Sequence, residues 1–303
     1  MNMNNKLVSI IIPTFRSKGG IISSVDSVLH QTYQNLEVIV IDDNDPDTNE
    51  RLQTESFMSK YQSDSRVRYI KHDRNRNGAV ARNTGIKASN GEYIAFLDDD
   101  DTFRKDKIER QVMYLESHPD MDAVYTSIAI DGRPIVLTPY EGNALLPLLT
   151  ERTRMFTSTL LFKRKPILEI RGFTESFRRH QDFDLLIKFF YAGYHIGCIK
   201  EVLADYNNIS TNRLKGRSLE DLKAQYLLQF SAVIDSLEDI KKGSRNKIIA
   251  NNYASVFVSY VAMHEYRLAY SLVCKYFLVS PVDFISYVLF FLKCQFLKRV
   301  QNN

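Results

Sequence analysis

The chain has no tryptophan and only three cysteines, Cys198, Cys274 and Cys294, in 303 residues. An odd number of thiols with no CxxC or Cys/His ligand spacing excludes a disulfide scaffold and a zinc site and fits a reducing compartment. Glycine and proline are scarce, at 12 and 8, which removes collagen-like and low-complexity disordered chains. Neither sign of charge dominates. Forty basic against 36 acidic residues leave a formal +4, too little and too dispersed for a dedicated nucleic-acid binder, so no nucleic acid is expected as a partner. Long apolar runs are absent as well. The N-terminal MNMNNKLVSIIIPTF has one lysine before a short apolar run and no small-residue cleavage pattern, and it reads as a strand, not a signal peptide.

What is present is aromatic and aliphatic: 17 Tyr, 18 Phe and 44% apolar residues overall, enough for one large mixed domain with an appendage. Apolar runs at 7–12, 36–41, 66–71, 93–97 and 123–127 alternate with helical patterns at 21–31, 50–61, 79–88 and 105–116. Continuous apolar strands separated by helices predict an open α/β sheet covered on both faces, which binds ligands beyond the carboxyl ends of its strands. After Asp131 the alternation is lost until FTSTLLF (156–162), which reads as a further strand, followed by a helix at 182–191 and strands at 196–199 and 202–204. From Leu219 the pattern is helical, with Leu219, Leu222, Tyr226, Phe230, Ile234 and Leu237 on one face. A boundary near Gly216 divides the chain into 1–216 and a helical 217–303.

The aromatic-rich segment 268–300 has its longest uncharged stretch at 284–292, far short of the roughly 20 residues that span a bilayer. Pro281 and Asp283 interrupt it and Lys275, Lys293, Lys298 and Arg299 flank it. Two readings stand: helices lying in a membrane surface with bases at the headgroups, or a helix pair packed on the main domain.

The strongest chemical feature is EYIAFLDDDD, an apolar strand ending in Asp98, Asp99, Asp100 and Asp101. Four adjacent carboxylates repel one another and raise their proton affinity unless a cation binds. In an extended segment Asp98 and Asp100 would face one ligand, with Asp99 and Asp101 facing away. Oxygen ligands suit Mg²⁺ or Mn²⁺ bridging to phosphate; a solvated acidic loop with a helix cap is the alternative. Asp42-Asp43 closes the second strand and is either a cap or part of the same pocket, where Pro13 and Phe15 follow the first strand. Phe15 could offer its face to a planar base or lie in the core. In NRNGAVARNTGI, Gly78 permits a tight turn and Arg82 sits on the first turns of a helix, placed for a diphosphate or as an anchor for an aspartate. Asp182 opens a helix in RRHQDFDLL and can be a cap or a general base.

Taken in order, VSIIIPTF, SVDSVLHQTYQNLEVIVIDD, NGAVARNTGI, GEYIAFLDDDD and RRHQDFDLL resemble family 2 of the nucleotide-sugar-dependent glycosyltransferases over about residues 6 to 205. The resemblance implies a single Rossmann-like domain with a mostly parallel central sheet, followed by the helical appendage, and an inverting transfer. Pro13, Phe15, Asp43, Arg82, Asp98 and Asp99 would bind the donor, with Asp43 at the base and Asp98 at the ribose. Asp100 would hold Mn²⁺ or Mg²⁺ on the diphosphate, and Asp182 would take the proton of the acceptor hydroxyl. The implied partners are a UDP-sugar, an undecaprenyl-diphosphate-linked acceptor sugar and a membrane surface reached through the C-terminal helices. The implied place is the bacterial cytoplasm, peripheral at the inner face of the membrane. Two departures stand out: Gln181 replaces the Glu that many members have before the base, which should leave the Asp182 pKa lower, and Asn207, Asn208 and Asn212 occupy the loop where many carry His. A sugar-phosphate nucleotidyltransferase would need a glycine-rich basic loop where this chain has PTFRSKGG. An inactive membrane-associated scaffold would release no UDP.

Overall fold

The computed structural model describes residues 6–17, 19–135, 139–207 and 218–301. It divides into two compact units, Met1–Ala144 with Met155–Thr211, and Leu145–Arg154 with Asn212–Asn303. In chain order come β1 (Val8–Thr14), α1 (Gly20–Leu29), β2 (Leu36–Asp42), α2 (Asn49–Ser59), β3 (Val67–Lys71), α3 (Gly78–Ala88) and β4 (Tyr93–Phe96). They are followed by β5 (Thr102–Phe103), α4 (Lys107–Ser117), β6 (Ala123–Ile130), β7 (Arg133–Ile135), α5 (Leu145–Leu149), β8 (Leu160–Lys163), α6 (Arg164–Glu169), α7 (Gln181–Tyr191) and β9 (Ile196–Tyr206). The helices α8 (Leu219–Gln229), α9 (Ser231–Ile240), α10 (Ser244–Ala262), α11 (Tyr266–Tyr276) and α12 (Pro281–Gln301) complete the chain.

The sheet of the first unit has the order β3-β2-β1-β4-β8-β6-β9-β5, with β7 on β6. β1 is parallel to β2 and β4, β2 to β3, and β6 to β9. β8 is antiparallel to both β4 and β6, so β6 and β9 run in the direction of β1 to β4. The expected α/β sheet is therefore present, with β5, β7 and β8 as its reversed strands. Its side chains alternate as a pleat requires: Ile10 and Ile12 meet Val25 and Val28 of α1 on one face, while Ile39 and Ile41 meet Ala81 of α3 on the other. Each such Val or Ile taken fully out of water is worth about 1.5–3 kcal/mol.

Three local expectations are corrected. FTSTLLF is a strand only from Leu160: a 3₁₀ turn covers Thr157–Thr159, closed by the Thr159 N–H to Phe156 O at 2.9 Å and by the Thr159 hydroxyl to the same oxygen at 2.6 Å. Hydroxyls that bond to the local backbone compete with a ladder. The strands at 196–199 and 202–204 are one strand, because the pairing with β6 steps from Thr126↔Ile199 to Ser127↔Val202 across a bulge that leaves Lys200 and Glu201 exposed. The division at 216 also misplaces Leu145–Arg154, which belongs with the helices. There Asn252 Nδ2 donates to Leu149 O at 2.7 Å, and Arg152 donates to Asn251 Oδ1 at 3.2 Å and lies 5.0 Å from the Phe290 ring centroid.

The helical unit has its own core, including Tyr253, Leu272, Phe284 and Tyr287. The predicted apolar face from Leu219 is split between α8 and α9 at Phe230, with Tyr226, Phe230 and Ile234 buried. Among the described residues, no helix is long and apolar enough to cross a membrane.

Gly85 of α3 lies against β1 so closely that an added Cβ would stand 2.3 Å from Ile11 Cγ2. Gly85→Ala is expected to cost about 1–3 kcal/mol, read as a lowered thermal-unfolding midpoint; an unchanged midpoint would contradict the close α3–β1 packing.

Candidate active site

The carboxyl ends of the parallel strands open into a cavity of about 510 Å³. β1 and its end supply Pro13, Thr14 and Phe15, the end of β2 Asp43, and the end of β4 Asp98, Asp99 and Asp100. The approach to α3 and its first turns bring Asn75, Arg76, Asn77, Gly78, Ala81 and Arg82. Arg178, Gln181 and Tyr206 close the remaining side. This is the edge where an open parallel sheet places its ligand site.

The four acids do not alternate as an extended segment would. The chain turns, with the Asp101 N–H donating to Asp98 O at 3.0 Å, so Asp98, Asp99 and Asp100 all line the cavity while Asp101 points inward. Asp101 is 1% exposed and accepts from Ser158 Oγ at 2.5 Å and from the Asn207 N–H at 3.3 Å. Asn207 Nδ2 also donates to Asp100 O at 2.7 Å, which ties the end of β9 to the acidic turn; Asn208 and Asn212 lie outside the described residues. Burial, then the carboxylate of Asp98, pushes Asp101 up to about 8, against the pull of Ser158. Burial pushes Asp99 up to about 6, although the Thr14 hydroxyl donates to it at 2.5 Å. Asp100 is raised by burial and by Asp98.

Arg82 is buried on α3 and balances this charge. One terminal nitrogen donates to Asp98 Oδ1 at 2.6 Å and the other to Gln181 Oε1 at 3.0 Å, and the guanidinium lies 5.5 Å from the Phe173 ring centroid. The same guanidinium acts on Asp182, on the first turn of α7. Burial raises the Asp182 pKa, Arg82 lowers it and Asp98 raises it again; the net direction is upward. The lower value expected from Gln181 is thus outweighed by desolvation. Asp182 is not among the residues that line the cavity, but its neighbour Gln181 is.

Asp43 lines the cavity with its carboxylate already filled: His72 Nδ1 at 2.7 Å and the Arg76 N–H at 2.9 Å on one oxygen, Asn75 Nδ2 at 3.0 Å and the Asn77 N–H at 2.9 Å on the other. Through these contacts it shapes the 75–77 turn. Phe15 is 43% exposed on the cavity wall, not in the core. Asp42 is structural, fully buried against Arg51, Tyr69 and Asn44.

One cavity thus gathers Pro13, Phe15, Asp43, Arg82, Asp98, Asp99 and Asp100 and leaves Asp182 just off its lining. Sequence reasoning missed Tyr206 and Arg76. Tyr206 had a signal, an aromatic ending the last strand, but nothing in the sequence aims it at the acids. Among the described residues no three His, Cys, Asp or Glu side chains form a metal cage. A hard divalent ion on a diphosphate needs only one or two carboxylates, with phosphate and water completing its shell. Asp100 fits that requirement: it lines the cavity and has no ion pair among the described residues.

A model of glycosyl transferase family 2 matches residues 9–186. The amylovoran biosynthesis glycosyltransferase AmsB of Erwinia amylovora is 30% identical over 225 residues, 70% of this chain and 74% of AmsB. The Escherichia coli UDP-Glc:alpha-D-GlcNAc-diphosphoundecaprenol beta-1,3-glucosyltransferase WfgD is 41% identical over 110 residues, 36% of this chain and 41% of WfgD. Among solved structures, residues 1–349 of TarS from S. aureus align with a TM-score of 0.63 at 18% identity, over 83% of this chain and 72% of that one. The TarS complex with UDP-GlcNAc aligns at 0.60 and 17%, over 92% and 91%. At that identity the likeness speaks for the fold.

Asp101 provides a test of the cluster's electrostatics. Its folded pKa of about 8 lies above that of an unfolded aspartate, so its stabilising contribution is complete below about pH 4 and is lost as pH rises through about 8. Asp101→Asn removes this titration. Between about pH 5 and pH 9 the metal-free wild type should lose several degrees more in unfolding midpoint than the variant; parallel pH profiles would contradict the assignment.

Proposed function

Because the chain belongs to glycosyl transferase family 2, we propose that it moves a hexose, glucose or galactose, from a UDP-sugar to an N-acetylhexosamine carried on undecaprenyl diphosphate. The transfer inverts the anomeric centre and serves synthesis of a bacterial surface polysaccharide, an O-antigen or a capsule. The observation that carries this reading is the turn of three carboxylates at the end of β4, which lines one cavity together with the Phe15 ring and with Arg82, bonded to Asp98. The name of WfgD supports the donor and acceptor classes, and the name of AmsB the pathway class. A lipid-linked acceptor would put the reaction at the inner face of the cell membrane.

In this reading Phe15 stacks on the nucleotide base in a pocket that Asp43 shapes through Asn75 to Asn77. Asp98, fixed by Arg82, accepts from the ribose, and Thr14 holds Asp99 beside it. Asp100 would hold Mn²⁺ or Mg²⁺, which supplies positive charge to the leaving diphosphate. Asp182 accepts the proton of the acceptor hydroxyl as that oxygen bonds to the anomeric carbon from the face opposite the leaving group. The bond from the anomeric carbon to the diphosphate breaks, and UDP leaves with the electron pair. A partly buried base with a raised pKa holds the proton better than a fully exposed aspartate would, and Arg82 acts against that rise.

Two outcomes are expected. Asp182→Asn should keep UDP affinity and lose about 10²–10⁴-fold in kcat; near-normal turnover in a UDP-release assay would remove Asp182 from the reaction. EDTA should abolish transfer and Mn²⁺ or Mg²⁺ restore it, and full activity in EDTA would remove the metal from Asp100.

A further inference from the structure

The 3₁₀ turn before β8 carries three hydroxyls in a row, Thr157, Ser158 and Thr159, all on buried residues. Two of them hold the structure. Thr159 donates to Phe156 O at 2.6 Å and closes the turn. Ser158 donates to Asp101 Oδ2 at 2.5 Å and accepts from the Asp98 N–H at 3.3 Å, which fastens the turn to the acidic residues after β4. From behind, Gln111 of α4 donates to Thr159 O at 2.8 Å. The third hydroxyl, on Thr157, belongs to a residue 3% exposed and has no hydrogen-bond partner among the described residues. Buried polar atoms are nearly always paired, so one left over beside an active site calls for a reason.

The group that Thr157 faces supplies it. Burial is the largest influence on the Asp182 carboxylate and raises its pKa; Arg82 of α3 lowers it, Asp98 after β4 raises it, and the Thr157 hydroxyl lowers it. Tyr206, at the end of β9, also lies within the field of Asp182. The Thr157 hydroxyl thus stands close to the carboxylate, yet the two do not close a hydrogen bond. Arg82 has one terminal nitrogen on Asp98 and the other on Gln181, so Thr157 is placed to orient the carboxylate that Arg82 acts on from a distance. Hydrogen bonds to a catalytic base are often long before substrate binds and tighten afterwards. The anchored turn keeps Thr157 in place for that step.

We propose that Thr157 is a positioning residue for Asp182: with substrate bound, its hydroxyl donates to one carboxylate oxygen and leaves the other to take the acceptor's proton. This rests on the reading of Asp182 as the base and names what aims it. The test is the pH dependence of UDP release by the full chain with UDP-glucose and a synthetic N-acetylglucosamine-diphospholipid. Thr157→Val removes the hydroxyl and keeps the shape of the side chain. Its kcat should fall about tenfold, the loss of one hydrogen bond to a charged group, with KM for UDP-glucose unchanged. The acid limb of its kcat profile should move to higher pH, because the base works deprotonated and has lost a group that lowers its pKa. Thr157→Ser keeps the hydroxyl and should recover most of kcat and the wild-type limb; Thr157→Ala makes the same removal if Thr157→Val does not fold. An unmoved acid limb without the hydroxyl, or a Thr157→Ser as impaired as Thr157→Val, would overturn the proposal. ¹³C NMR of the aspartate carboxyls, with the Asp182 signal assigned by its loss in Asp182→Asn, reads the same contact without turnover: Asp182 should titrate at higher pH in Thr157→Val, and coincident titrations would contradict the proposal. Absence of UDP release by wild type would count against the transferase reading and leave the NMR result to decide the contact.

Discussion

The site depends on one buried guanidinium. Arg82 is 9% exposed and stands among Asp98, Asp99 and Asp182, each of which raises its proton affinity. Without it three carboxylates would share a desolvated corner, and protonation would be the cheapest relief. Its short bond to Asp98 fixes one edge of the acidic turn, and its bond to Gln181 fixes the start of the helix that carries Asp182. One side chain on α3 therefore sets both the donor side and the acceptor side of the proposed chemistry. Truncating a group so paired costs more than the contact itself, because it leaves buried charge uncompensated.

The turn after β4 is held as firmly from behind as from the front. Ser158 donates to Asp101, Ser24 donates to the Asp101 carbonyl at 2.7 Å, and Asn207 bonds to both Asp101 and the Asp100 carbonyl. The 3₁₀ turn, α1 and the end of β9 thus converge on four residues that are unfavourable in isolation. In the proposed reading, the acidic turn so held would take up a cation together with a diphosphate.

What the sequence made legible follows from periodicity. β1, β2 and β4 are covered on both faces, so their apolar runs are interrupted only by Ser9 and Glu37, and the cavity residues at their carboxyl ends could be named in advance. β5 and β7 are two and three residues long and carry no period. The Thr157 turn reads as a strand because its β-branched residues have strand propensity, and only the hydroxyl bonds reveal the turn. The alternation expected for Asp98 to Asp101 failed because the chain leaves the sheet after Phe96. Arg178 and Tyr206 reach the cavity from residues about 80 to 110 positions beyond the acids in sequence, and such long-range meetings carry no local signal. Asp43 lines the cavity as its place after β2 suggests, and the four donors of its own chain that meet it come from residues 72–77, which the sequence does not reveal.

The helical unit shows the same economy in reverse. Its core consumes one side of α12, where Phe284 and Tyr287 are buried. The central claim of the account is the acidic turn as a seat for a metal-bridged nucleoside diphosphate. Titration calorimetry of UDP into the wild-type protein, with and without Mn²⁺, tests it most directly. The account predicts that removing the metal weakens UDP binding by at least about tenfold. Equal affinity in the two titrations would contradict it.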